Sequence, residues 1–142
     1  MRHGEASWHA SSDAERPLTE NGVLRLRAAL HDVQDRIDDI DLLIHSPYLR
    51  TTQTADIVCE TLSVARRDVD SRWVPEANQT QALASLEAYT DQTLMVVTHN
   101  PLVSHLVGAV CGTGIEPFDP GTIAAVDLEW PAEGLGTVVW RR

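Results

Sequence analysis

The segment Thr93-Leu94-Met95-Val96-Val97-Thr98 is apolar through its whole interior and is followed at once by His99-Asn100-Pro101. A run this short, bounded by polar residues, reads as a strand buried on both faces, and such strands belong to parallel sheets covered by helices. The rest of the chain supplies the alternation that such a sheet needs. Thr19 is a suitable N-cap, Glu20 complements the helix dipole, and Leu18 and Val23 stand at staple spacing. Leu26, Leu30, Val33 and Ile37 then continue one helical face. Asp41 to His45 is a short apolar run stopped by Ser46-Pro47, a second strand. Tyr48 to about Val64 is expected to be helical, and Val69 to Val74 a strand closed by Pro75. Asn78 caps a helix through Leu83, Leu86 and Tyr89, and Leu102 to Val110 forms another, stopped by Gly112 and Gly114. Ile123 to Trp130 and Thr137 to Trp140 alternate as a terminal antiparallel hairpin. The expected class is α/β with a largely parallel sheet.

A chain of 142 residues has room for one domain, spanning residues 1–142. Its formal charge is 11 − 21 = −10, which argues against nucleic-acid binding, since that needs a basic footprint. No apolar run has the length of a membrane span, so no membrane partner is expected. Cys59 and Cys111 are the two cysteines, with no Cys-x-x-Cys and no secretory leader, and reduced thiols in a cytoplasmic protein are the simple reading.

In parallel α/β sheets, ligands bind beyond the carboxyl ends of the strands. Three polar clusters occupy such places: Arg2-His3-Gly4-Glu5, Ser46-Pro47-Tyr48-Leu49-Arg50 and Thr98-His99-Asn100-Pro101. Two guanidiniums and two imidazoles converging on one crevice, beside helix N-termini, suit a phosphoryl group. Set against this, a lone Arg or His is usually a solvated or capped side chain, and His9, His31 and His105 are read that way. His45 sits inside a strand and reads as a core histidine with its hydrogen bonds satisfied. No metal is expected, because His99 and His105 are six apart and lack supporting Cys or Glu ligands. Glycine loops of the Walker and dinucleotide types are absent, and no cofactor is expected.

Four blocks together carry a family resemblance. Met1-Arg2-His3-Gly4-Glu5-Ala6 resembles the Arg-His-Gly signature of the histidine phosphatase superfamily. Ser46-Pro47-Tyr48-Leu49-Arg50-Thr51-Thr52-Gln53-Thr54-Ala55 is similar to its second block, departing at Thr51, where the family has Ala. Thr98-His99-Asn100-Pro101-Leu102 resembles the third block, and Arg16-Pro17-Leu18-Thr19-x-x-Gly22 the matching stretch of the short bacterial phosphohistidine phosphatase branch. The resemblance implies a three-layer sandwich like that of phosphoglycerate mutase, with helices on both faces of a mostly parallel central sheet. In the family a central apolar strand precedes the Arg-His-Gly block, whereas here Met1 stands directly before Arg2. The expectation is therefore that this first strand is missing, leaving unpaired backbone groups on its neighbours and the α-amino group beside the pocket.

The resemblance also implies a mechanism. His3 attacks phosphorus in line and becomes phosphohistidine, and water then releases phosphate. Arg2, Arg50 and His99 hold the transferring oxygens, and Gly4 and Ser46 shape the substrate pocket. Glu76, after Trp73-Val74-Pro75, is the best-placed general acid, with Glu5 a poorer candidate and a solvated loop carboxylate the plain alternative for Glu76. An imidazole leaving group, with an ordinary pKa near ~6.5, needs an acid much less than an alkoxide does. Only 18 residues separate Val74 from Thr93, too few for a cap domain, so the pocket is expected to be open. Both features favour a phosphohistidine-bearing protein, such as a histidine-phosphotransfer domain, in signal transduction. The alternatives are a phosphatase for small phosphoester metabolites and an inactive phosphate- or phosphoprotein-binding module.

Overall fold

In the computed structural model, which describes residues 1–142, Thr19 caps the first helix as expected, its hydroxyl accepting from the Gly22 amide at 2.9 Å. This helix, α1 (Glu20–Val33), buries Leu26, Leu30 and Val33. A β-carbon on Gly22 would stand 2.3 Å from the Glu5 carbonyl oxygen, so glycine is what lets α1 lie against the loop that follows His3. Ile37 falls beyond the helix, after a single 3-10 turn over Gln34–Arg36, yet still packs against the same core.

The chain continues through β1 (Leu42–His45), α2 (Leu49–Thr61), β2 (Arg67–Val69), α3 (Gln79–Ser85), β3 (Leu94–Val97) and α4 (Leu102–Cys111). It ends in the antiparallel hairpin of β4 (Ala124–Leu128) and β5 (Gly136–Arg141). β1 is the middle strand of a parallel sheet ordered β2-β1-β3. Its alternating side chains divide the interior in two. Leu43 joins Leu26, Leu30, Ala55, Val58 and Val97 against α1 and α2. Leu42 and Ile44 join Trp73, Ala82, Leu102 and Leu106 on the opposite face, beneath α3 and α4. These are the three layers expected. Leu30, with 0% exposure, contributes on the order of 1.5–3 kcal/mol by leaving water.

The expectation of a missing first strand is corrected in part. Met1 to His3 lies in the strand position beside β3: the Met1 amine donates to the Val96 carbonyl at 2.9 Å, Thr98 N–H to Met1 at 3.1 Å, and His3 N–H to Thr98 at 3.0 Å. On its other side, Arg2 N–H donates to Thr122 and Gly121 N–H to His3, so three residues join the parallel sheet to the hairpin. They run beside only the end of β3. Accordingly Leu94, Met95 and Val96 pack on both core faces but stay half-buried, and only Val97 is enclosed as expected of the whole strand.

The strand expected over Val69–Val74 is also corrected. β2 ends at Val69, and Ser71–Trp73 form a 3-10 turn because the Asp70 carboxylate accepts from the Arg72 amide at 2.8 Å. That local bond competes with the sheet ladder and turns Trp73 into the core. The helix expected to reach Tyr89 ends at Ser85 and tightens into a 3-10 turn over Leu86–Tyr89. No helix is long and apolar enough to cross a membrane.

Candidate active site

Segment 1–3, β1 and β3 run parallel, so residues at their carboxyl ends come to one edge of the sheet: Arg2 and His3, then Ser46, then Thr98 and His99. α2 starts at the same edge and contributes Arg50 from its first turn. The structure thus brings together Arg2, His3, Ser46, Arg50 and His99.

His3 is buried, and its Nδ1 lies 2.7 Å from the Gly4 carbonyl oxygen. A carbonyl only accepts, so Nδ1 carries the proton and Nε2 keeps its lone pair. Arg50 donates to that lone pair through Nε at 3.2 Å. The His3 pKa is drawn down to about 4, chiefly by burial, with the Gly4 bond opposing and the Arg50, Arg2 and Arg16 charges reinforcing. At neutral pH this imidazole is uncharged, of fixed tautomer, with the Nε2 lone pair facing Arg50.

The His99 ring centroid is 5.0 Å from that of His3. Ser46 Oγ accepts from the Tyr48 amide at 3.3 Å and pairs with His99 Nε2, 2.8 Å away. The other ring nitrogen of His99, Nδ1, is buried and has no partner. Burial, followed by the nearby His3 and Arg50 charges, lowers the His99 pKa to about 2. Arg2 is arranged alike: Nη1 donates to the Phe118 carbonyl at 2.7 Å, while its buried Nε has no partner. Buried polar nitrogens without partners are rare, and two of them, one on a guanidinium, at the sheet edge that carries His3 mark a place for a polar ligand.

Ser46 therefore does more than shape the pocket: its hydroxyl is the hydrogen-bond partner that holds the His99 ring. The Thr51 hydroxyl lies 2.8 Å from the Ser46 carbonyl and 2.7 Å from that of Tyr48, so the departure from the family's Ala adds a brace to this turn. The Gly4 amide is donated to Thr54 Oγ1 at 3.1 Å, and its carbonyl holds the His3 ring.

Glu76 is exposed and accepts a 3.3 Å hydrogen bond from the Tyr48 hydroxyl, whose ring packs edge-on against His99 with centroids 5.1 Å apart. It thus stands at the rim. Glu5 is turned away, accepting from the Thr19 hydroxyl at 2.8 Å and from Asn21. His45 is the satisfied core histidine expected, with Nδ1 on the Ser46 carbonyl and Nε2 accepting from Arg67. Sequence reasoning missed Asp13, whose carboxylate accepts from Arg50 at 3.0 Å and whose carbonyl accepts from the same guanidinium at 2.6 Å. Nothing in its unpatterned loop signals this contact.

The histidine phosphatase superfamily (branch 1) matches residues 1–74 of the chain. Phosphohistidine phosphatase SixA of Escherichia coli (strain K12) is 33% identical over 146 residues, covering 99% of this chain and 89% of the relative. A SixA homolog from Haemophilus influenzae is 29% identical over 87% of this chain and 83% of its own. The solved structure of the protein histidine phosphatase SixA complexed with tungstate superimposes with a TM-score of 0.91 at 32% identity, covering 99% of this chain and 92% of that one. With the four blocks gathered at one sheet edge around His3, and a relative of this identity spanning nearly the whole chain, the protein belongs to the histidine phosphatase superfamily.

Proposed function

We propose that residues 1–142 act as one domain, a phosphatase that hydrolyses phosphohistidine on a protein through a covalent phosphoenzyme at His3. The observation that carries this reading is the His3 Nε2 lone pair, set by the Gly4 carbonyl and held by Arg50, at a sheet edge where Arg2 Nε and His99 Nδ1 are buried without partners. The relatives named for phosphohistidine hydrolysis support the substrate class, and tungstate, held by one of them, is an oxyanion of phosphate's shape.

In the first step the His3 Nε2–P bond forms as the substrate's P–N bond breaks. The electron pair goes to the departing ring nitrogen, and a ring that arrives protonated leaves as neutral imidazole. His3 keeps its Nδ1 proton on the Gly4 carbonyl, so the phosphorylated ring is cationic and is itself a good leaving group. In the second step water attacks phosphorus, the pair returns to Nε2, and dihydrogen phosphate departs. The guanidiniums and the His99 N–H face oxygen charge as it develops in each step, the largest kind of catalytic stabilisation. Between Val74 and Thr93 the chain forms only α3 and one short 3-10 turn, Leu86–Tyr89, which leaves the site open to a histidine displayed on another protein. Two free cysteines fit a reducing cytoplasm.

The test compares a phosphorylated histidine-phosphotransfer domain with p-nitrophenyl phosphate. The reading expects clear preference for the phosphoprotein. Preference for small phosphoesters would shift the assignment to metabolites, and failure to form any phosphoenzyme would leave a binding module.

A further inference from the structure

Arg50 is shared between two groups. Its Nε serves His3 Nε2, and the other two nitrogens hold Asp13, Nη1 on the carbonyl at 2.6 Å and Nη2 on the carboxylate at 3.0 Å. Arg16 holds the second carboxylate oxygen at 3.0 Å. Arg16 is itself pinned to the Ser7 carbonyl at 2.7 Å and stacked 3.6 Å over the Trp8 ring. Asp13 is thereby fixed, although its side chain is 52% exposed against 4% for Arg50. It is the exposed end of a contact whose other end, the guanidinium, is buried against His3. The same guanidinium stacks 4.9 Å over the Tyr48 ring, which packs edge-on against His99, so Asp13 borders the exposed side, or mouth, of the site.

A pocket for a phosphoryl group gains nothing in phosphate affinity from a carboxylate on its clamp. The two guanidiniums of Arg2 and Arg50 supply the positive charge, and Asp13 offsets one of them. What the carboxylate does favour is a cation next to the phosphate. Phosphorus in reach of His3 Nε2 leaves the departing group nowhere to lie but the mouth, beside Asp13, with Glu76 on the Tyr48 side of the same opening. An alkoxide or phenoxide leaving group gains negative charge there and is repelled. A protonated phosphoimidazole carries its positive charge in the ring and departs as a neutral base.

We propose that Asp13 is a specificity-determining residue, selecting substrates whose phosphorylated group is a protonated imidazole, which departs neutral, over those that leave as oxyanions. The proposal rests on the phosphohistidine reading above and adds which residue enforces it. The bond changes are those already given: P–N breaks, Nε2–P forms, and the ring proton that Asp13 stabilises in the bound substrate stays on the departing imidazole. No further acid is consumed.

The experiment measures kcat/KM for the wild type, Asp13→Asn and Asp13→Glu on a phosphorylated histidine-phosphotransfer domain and on p-nitrophenyl phosphate. One close charge contact at a wet site predicts a loss of about tenfold on the phosphoprotein in Asp13→Asn, with no loss on p-nitrophenyl phosphate. Asp13→Glu, which keeps the charge, should restore most of the ratio. Equal losses on both substrates, no loss on either, or a Glu variant as unselective as the Asn variant would each overturn the proposal, leaving Asp13 as a support for Arg50. A wild-type protein that cleaves p-nitrophenyl phosphate but not the phosphoprotein fails the underlying reading instead, and the proposal with it.

Discussion

Arg50 Nε donates to His3 Nε2 at 3.2 Å, so one buried guanidinium holds the lone pair that attacks in the proposed mechanism and would hold the phosphoryl oxygens afterwards. The contact also discourages protonation of His3, because a third positive charge between Arg2 and Arg50 is unfavourable. Removing Arg50 therefore damages the nucleophile and the anion site together. A unit charge pair at 4 Å in an effective dielectric near 20 is worth ~4 kcal/mol, so Arg50→Ala should lower kcat/KM by roughly 10²–10³-fold. Circular dichroism should remain that of the wild type, since Arg50 lies outside both apolar clusters. An Arg50→Ala protein with more than a tenth of normal activity would contradict its role.

Ser46 acts through His99. In Ser46→Ala the Nε2 of His99 loses its hydrogen-bond partner, and the ring is free to exchange its proton between the two nitrogens. The expected result is a fall in kcat of about tenfold or more with little change in KM, because the lost donor matters most in the transition state. Nitrogen-15 NMR of the two rings supplies the separate check: His99 should change from one tautomer to a mixture while His3 stays unchanged. A single unaltered His99 tautomer would show that Ser46 does not set it.

Both catalytic imidazoles titrate far below the ordinary histidine value of 6.5, His3 at about 4 and His99 at about 2. The folded protein thus refuses protons that the unfolded chain accepts, and stability is lost as pH falls below the unfolded value. Each group approaches a slope of about 1.4 kcal/mol per pH unit in the window from about 6 down to about 4. Urea denaturation at pH 7 and pH 5 should show a marked loss at pH 5, reduced in the His99→Gln variant. Equal stability at the two values would mean that the rings titrate normally.

Glu76 reaches the site only through Tyr48. If it protonates an oxygen leaving group, Glu76→Gln should harm alkyl phosphate hydrolysis by roughly 10²–10⁴-fold, yet cost less than about tenfold on a phosphohistidine protein. Parallel turnover assays decide this. Large equal losses would give Glu76 another task, such as placing water for the second step, and no loss on either would return it to a solvated rim carboxylate.

The strand ends were legible because apolar runs and the polar residues that stop them are local features; so were the Thr19 and Asn78 caps, each confirmed by a side chain accepting from an amide three residues on. β2 was misplaced because Asp70 bonds its own neighbour, a choice that hydrophobic alternation does not register. The pairing of Met1 to His3 was missed because three residues carry no periodicity, and their strand character comes from β3 and residues 121–122 on either side. Within the site, Arg2, His3, Arg50 and His99 could be read from strand-end position together with family resemblance. Asp13 could not: its contact with Arg50 joins residues 37 apart through a loop whose sequence constrains neither end. The contacts of Gly4 with His3 and of Ser46 with His99 were not legible, since a hydrogen-bond partner is visible only in three dimensions.

The central claim is that His3 carries the phosphoryl group. Mixing the protein with a phosphorylated histidine-phosphotransfer domain, quenching within the first turnover under alkaline conditions and mapping the modified peptide by mass spectrometry tests it directly. The account predicts a phosphoryl group on His3, absent from His3→Ala, which should also have no turnover. A phosphoenzyme mapped to His45, His99 or any other residue, or full activity in purified His3→Ala, would contradict it.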